Sequence, residues 1–264
     1  MDKLSERLLS GFLINYWAIP SDALIRTAEG ILWSKQKFIR PVVDIGCGDG
    51  NNARYLFSKQ GKIDLGIDSD EVGVRLAKKC KKYKKVILAN AQNLKLTDRS
   101  FRTVISNSTF EHIENDEMAL KEVSRILKKN GRFIFCVPTP RFVEFLSSLG
   151  MGKRELKLYN NRVSHFRYRT VDAWQKFLGK NGLKIISYEY YFPIEVTRIW
   201  LKLFKLATFK PYRRELWSYL TDSIITRFIP RKFLINFWKM LLVGYTKNIV
   251  NNNGGWVFIV AQKV

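Results

Sequence analysis

The chain has 264 residues, a length that suits one large domain or one domain carrying an insertion. Hydrophobic residues make up 46% of it, enough for a sizeable core, which excludes a chain disordered throughout. With 46 Lys and Arg against 23 Asp and Glu, the net charge is +23, which favours polyanionic partners (nucleic acid or an anionic membrane face) and carries no information on fold.

The first 22 residues contain an apolar run broken by Asn15 and followed by Pro20 and Asp22, with no small-residue cleavage site, so a signal peptide is not expected. Apolar residues at helical spacing predict a helix from Asp22 to about Gln36, with Ser21 or Asp22 as its cap. VVDIGCGDG (42–50) reads as a buried strand running into a glycine turn, and 51–60 as a helix closed by Gly61. The alternation continues with a strand at 62–67, a helix at 69–82, and strands at 85–89 and 102–107. Residues 114–129 form a helix with acids first and lysines last, as the helix dipole prefers, stopped by Asn130-Gly131. RFIFCV (132–137) is a fifth strand. The pattern loosens from Pro140 to about 169, then a helix at 170–180 capped by Thr170 precedes strands at 183–191 and 254–264. Strands alternating with helices of this length predict an α/β fold with a largely parallel sheet.

The two last strands are separated by a connection far longer than the usual two to six residues, so 194–253 is expected to be an insertion with its own structure. Residues 194–209 and 231–245 read as amphipathic helices with broad apolar faces and narrow Lys and Arg edges, with a third short helix between them ending before Pro230. This insertion is either a clamp on an anionic membrane surface or a lid over the sheet or a dimer interface. No stretch reaches the roughly 18 uncharged apolar residues of a membrane-spanning helix, so a cytoplasmic chain, peripheral on the membrane where the clamp applies, is expected. The three cysteines (Cys47, Cys80, Cys136) offer neither a disulfide framework nor a zinc pattern; a reducing compartment fits them, and no metal site is expected.

The chemistry concentrates at the strand ends. Glycines at Gly46, Gly48 and Gly50 let the backbone turn sharply and let a ligand approach, and a helix N-terminus follows to meet an anionic group. The spacing departs from the dinucleotide fingerprint, because Asn51 stands where its third glycine would be. Asp68 ends the second strand about 20 residues later, where a carboxylate can accept two ribose hydroxyls; otherwise it or Ser69 caps the next helix.

Taken together, VVDIGCGDG, LGIDSD, NAQNLKL, SFRTVISNSTFEHI and ALKEVSRILKKNGRFIFCVPTP resemble, in order and spacing, a class I S-adenosylmethionine-dependent methyltransferase of the type 11 group, a group that includes quinone-biosynthesis enzymes. The resemblance covers roughly 40–191 plus the last strand. It implies a Rossmann-like seven-stranded sheet with helices on both faces, formed by 1–193 and completed by 254–264, with 194–253 as a helical insertion before the last strand. It implies S-adenosylmethionine as cofactor: Gly46, Cys47, Gly48 and Gly50 along the methionine part, Asp44 beneath the turn, Asp68 and Ser69 at the ribose, Asn90, Ala91 and Gln92 beside adenine, and Ser106 and Asn107 beneath the sulfonium. Asn90 stands where the family usually has Asp, so the adenine amino group would meet an uncharged acceptor.

Only two histidines are available as a general base, His112 in FEHIE and His165 in VSHFRYRT, each with a structural role as its alternative. The expected acceptor is a lipophilic or lipid-linked small molecule methylated on oxygen or nitrogen at the membrane. RNA reached through the basic surface is the second reading, and a non-catalytic, methyltransferase-like binding protein the third.

Overall fold

The computed structural model describes residues 3–211, 213–222 and 230–264. Seven strands form one sheet in the order β3-β2-β1-β4-β5-β7-β6: β1 (Val42–Ile45), β2 (Ile63–Asp68), β3 (Tyr83–Leu88), β4 (Phe101–Asn107), β5 (Leu127–Pro138), β6 (Leu183–Tyr191) and β7 (Trp256–Lys263). The first five are parallel, whereas β7 runs antiparallel to both β5 and β6. The order reverses at β1, which pairs with β2 on one side and β4 on the other, so a crevice opens at their C-terminal ends.

The strand alternation builds a core on each face. Val104, Phe133, Phe135, Ile259 and Ala261 pack on α5 (Asp116–Ile126) and α8 (Val171–Gly179) through Leu120, Val123, Trp174 and Leu178. The intervening Ile105, Ile134, Cys136, Phe258 and Val260 pack on α1 (Lys3–Tyr16) and α2 (Pro20–Ser34) through Phe12, Leu24, Ala28 and Leu32. Two further helices follow the glycine turn and β2, namely α3 (Asn51–Leu56) and α4 (Glu71–Ala77).

Several boundaries differ from the sequence expectation. The second helix begins at Pro20, not Asp22, with Ile19 at its N-cap; proline lacks an N–H that the first turn would leave unpaired anyway. Asp70, rather than Asp68 or Ser69, caps α4 by accepting from the Gly73 N–H at 2.7 Å. Lys128 and Lys129 lie in β5 instead of closing the preceding helix, because Leu127 pairs with Phe101 and is fully buried. The loose region after Pro140 holds two helices, α6 (Pro140–Ser148) and α7 (Lys153–Val163). Thr170 caps α8 as expected, accepting from the Ala173 N–H at 3.2 Å.

In the insertion the described helices are α9 (Ile194–Thr208), α10 (Leu216–Asp222) and α11 (Arg231–Leu242). The rest of the expected middle helix, 223–229, lies outside the described residues. α9 turns Val196, Trp200 and Leu203 into the core, and the Trp200 ring stacks on Phe204 and meets Phe142 edge-on. α11 sends Ile235, Trp238 and Leu242 inward, and Lys239 pairs with Glu6 of α1 at 2.7 Å.

Candidate active site

The glycine turn sits where the crevice opens. Gly46 (φ 80°) could not carry a Cβ, which would overlap the Thr109 side chain. Gly48 (φ 52°) is different, since a Cβ there would meet nothing within 4 Å. Its open face is a cradle for a ligand rather than a product of protein packing.

Two clefts flank this turn and share Gly46. A cleft of about 320 Å³ is lined by Asp68, Ser69, Ala89, Asn90, Ala91, Gln92, Thr109, His112 and Phe166. On the other side, about 160 Å³ is lined by Arg26, Asp44, Cys47, Gly48, Asp49, Asn52 and Asn107. The Asp68 carboxylate accepts from the N–H groups of Gly48 (2.7 Å) and Asp70 (2.9 Å), which fixes its position while each oxygen retains a second lone pair for a hydroxyl. Asp44 is buried beneath the turn and accepts from the Tyr83 hydroxyl at 2.6 Å. Burial, offset by that hydrogen bond and aided by Asp68, pushes its carboxyl up to about 7.

A third pocket, about 230 Å³, lies against the second through Arg26 and Ser108 and against the first through His112. Its lining includes Glu111, His165, Trp200, Phe204 and Trp256. It is therefore the space adjoining both ends of the crevice.

The profile of the methyltransferase domain family matches residues 43–135, the segment that builds β1 to β5 and the glycine turn. Residues 43–135 thus carry a methyltransferase domain of the type 11 family. An uncharacterized protein of Methanocaldococcus jannaschii is 27% identical over 212 residues, covering 80% of this chain and 76% of that protein. The demethylmenaquinone methyltransferase of Thermotoga maritima is 32% identical over 94 residues, which is 35% of this chain and 41% of that enzyme. A Thermotoga maritima structure described as a methyltransferase, possible histamine N-methyltransferase, shares the fold with a TM-score of 0.58 at 18% identity, covering 99% of this chain and 98% of that one.

The cofactor of the methyltransferase is S-adenosylmethionine, and the donor set fits it. The open Gly48 cradle adjoins the Asp44 side of the turn, and the carboxylate of Asp68 lies across it beside Asn90, Ala91 and Gln92. The Asn90 side-chain oxygen accepts from the Gln92 N–H at 2.9 Å, so this loop is pre-shaped by an Asx turn. Ser69 is exposed and lines the same cleft.

Other residues expected to touch the cofactor have different surroundings. Gly50 lines neither cleft; a Cβ there would come 2.5 Å from Cys80 Sγ, so its glycine serves packing against α4. Ser106 is buried and its hydroxyl donates to the Ile45 carbonyl at 3.0 Å, tying β4 to β1. Asn107 lines the second cleft, but its amide oxygen accepts from Trp33 Nε1 (2.6 Å) and its amide nitrogen donates to Glu29 (2.8 Å). Cys47 lines the second cleft too, and burial pushes its thiol well up, so it is no nucleophile.

The histidines come together. Their ring centroids are 4.9 Å apart. His112 bridges the first and third pockets, and burial lowers its affinity for a proton. Burial and the neighbouring His112 push His165 down to about 3, so its ring is neutral at physiological pH and is not the near-neutral base that its residue type suggests.

Three further charged residues of the site were not among those the sequence singled out. Glu29 of α2 is buried yet accepts from Arg26 (2.7 Å), Asn107 (2.8 Å) and Ser108 (2.8 Å). Arg26 lines both the second and third pockets. Glu111 is 3% exposed, and neither of its carboxylate oxygens has a hydrogen-bond partner; burial pushes its carboxyl up to about 8. Glu29 was hidden in the helical pattern, and only the polar run after β4 could have drawn attention to Glu111.

Proposed function

We propose that this methyltransferase transfers a methyl group to an oxygen or nitrogen nucleophile of a lipophilic small molecule. The observation that carries the reading is the third pocket. Polar groups (Asp22, Arg26, Ser108, Glu111, His112, Arg162, His165) share its lining with apolar surface from Ile19, Ile25, Trp200, Phe204 and Trp256. Such a lining suits an acceptor with a polar head and an apolar body. S-adenosylmethionine supplies the electrophilic methyl group when bound, and in-line transfer then depends on alignment. Residues of this chain supply that alignment: Arg26 and Ser108 border both the methionine side and the acceptor pocket, and His112 borders the adenosine side. A relative named for demethylmenaquinone is consistent with an acceptor of this kind.

The acceptor is drawn from an anionic lipid surface. No described helix is long and apolar enough to cross a membrane. On α11, however, Phe233, Phe237, Met240 and Leu241 are all exposed, at 64%, 38%, 72% and 40%, and their spacing places them on one helical stripe. Leu206 and Phe209 add exposed apolar surface at the end of α9, and the chain carries a net charge of +23.

The test is methyl transfer from labelled cofactor to matched acceptors with and without an apolar tail. Tailed acceptors are expected to be preferred, and Phe204→Ala should cut kcat/KM for them by about tenfold or more while leaving S-adenosylhomocysteine affinity unchanged. Equal use of tailless acceptors, or indifference to Phe204→Ala, would overturn the reading.

A further inference from the structure

The sequence offers no metal pattern, yet the fold assembles a donor set for one. One donor atom from each of Glu111, His112 and His165 lies within 4.8 Å of the others, and His112 Nε2 is 4.0 Å from Glu111 Oε1. A tetrahedral ion with ligands at 2.0–2.2 Å separates its donors by roughly 3.2–3.6 Å, so side-chain movement of up to about 1 Å closes the set.

The hydrogen bonds around the two imidazoles fix their tautomers. His112 Nδ1 faces the Ser164 carbonyl at 3.3 Å, and a carbonyl only accepts, so Nδ1 carries the proton and Nε2 the lone pair. His165 Nδ1 is 3.0 Å from the Tyr168 hydroxyl. That hydroxyl donates its single proton to Asn160 Oδ1 at 2.7 Å, so His165 donates from Nδ1 and keeps its lone pair on Nε2. An outer partner on Nδ1 that fixes the tautomer is the usual setting of a metal-bound histidine.

Glu111 supplies a second, independent observation. Its carboxylate is buried in the same pocket with both oxygens unpartnered. A buried carboxyl without a partner either stays protonated or, when ionised, is paired or bound to a cation. Neither neighbouring guanidinium hydrogen-bonds to it: Arg26 pairs with Glu29 at 2.7 Å, its Nε–H remaining unpartnered, and Arg162 pairs with Glu215 at 2.7 Å.

We propose that Glu111, His112 and His165 bind a divalent first-row transition ion whose remaining coordination positions open into the acceptor pocket. Two imidazoles and a carboxylate suit such ions better than magnesium or calcium, which prefer all-oxygen sites. Three protein ligands leave room for an exogenous one, as in open metal sites. Resting on the functional reading above, that exogenous ligand is an oxygen of the acceptor, held beside the His112 edge of the cofactor cleft.

The test uses the full chain, stripped with chelator, folded by circular dichroism and competent to bind S-adenosylhomocysteine. Cobalt(II) is titrated while visible absorption is recorded, and zinc(II) by calorimetry. One equivalent is expected, with a cobalt band of low-coordinate character. Glu111→Gln and His165→Asn should each weaken binding by about tenfold or more without changing S-adenosylhomocysteine affinity. Where one variant fails to fold, the other decides. No stoichiometric binding by the folded wild type, or binding indifferent to the folded variant, would overturn the site. Because binding is read without turnover, a failed acceptor assignment leaves this result intact, and loss of S-adenosylhomocysteine binding would instead point to the cofactor reading.

Discussion

Asp44 shows how one carboxylate couples the turn to pH. It is 3% exposed, and its neighbours are the Tyr83 hydroxyl, which favours the charged form, and Asp68, which opposes it. Burial outweighs the hydrogen bond and carries the carboxyl up to about 7, above the unfolded value near 3.9. A raised carboxyl stabilises the fold fully below the unfolded value, and that contribution is lost as pH rises through about 7. Between these limits unfolding free energy should fall by about 1.4 kcal/mol per pH unit from this group, a slope that Asp44→Asn removes; denaturant curves at pH 5, 6 and 7 test this. The type and position of Asp44 were legible at the end of an apolar run, and so was Asp68. The raised carboxyl of Asp44 was not legible, because it depends on burial beneath the turn and on the nearby Asp68, which only the folded chain brings about.

At the scale of elements, the insertion divides its labour. α9 gives its apolar face to the core through Val196, Trp200 and Leu203, and Trp200 and Phe204 also line the third pocket. α11 sends Ile235, Trp238 and Leu242 inward and leaves Phe233, Phe237, Met240 and Leu241 exposed, which is the face the membrane expectation needs. Both helices looked alike in sequence because each has an apolar surface broader than one contact can cover. Replacing Phe233, Phe237 and Met240 with Ser should abolish flotation with anionic liposomes. The melting temperature should stay within about 2 °C, since exposed side chains contribute little to folding. Flotation equal to wild type would refute the assignment. Elements with strong periodicity or caps, such as α8 behind Thr170, were readable, whereas α6 and α7 were not, because their buried faces are narrow and defined by the tertiary neighbours of Phe142, Leu146 and Tyr159.

Across the whole molecule, one buried carboxylate joins parts that are distant in sequence. Glu29 of α2 meets Asn107 and Ser108 at the end of β4 and the Tyr191 hydroxyl at the end of β6. Its partner Arg26 opens onto two of the three pockets, so the hub sets the wall between the second and third pockets. Glu29→Ala leaves that guanidinium without its partner and should destabilise the fold by about 3–5 kcal/mol, measured by urea unfolding, with Glu29→Gln intermediate. The chain's own order of residues determined the parallel α/β sheet, the glycine turn and the acid after β2, because hydrophobic periodicity and turn chemistry are local and written in consecutive residues. Tertiary structure alone decided that Gly50 serves packing, that Ser106 and Asn107 bond within the protein, and that His112 and His165 share one pocket with Glu111. These outcomes depend on which remote side chain fills the adjacent space, and burial then sets hydrogen bonding and charge in a way no local pattern encodes.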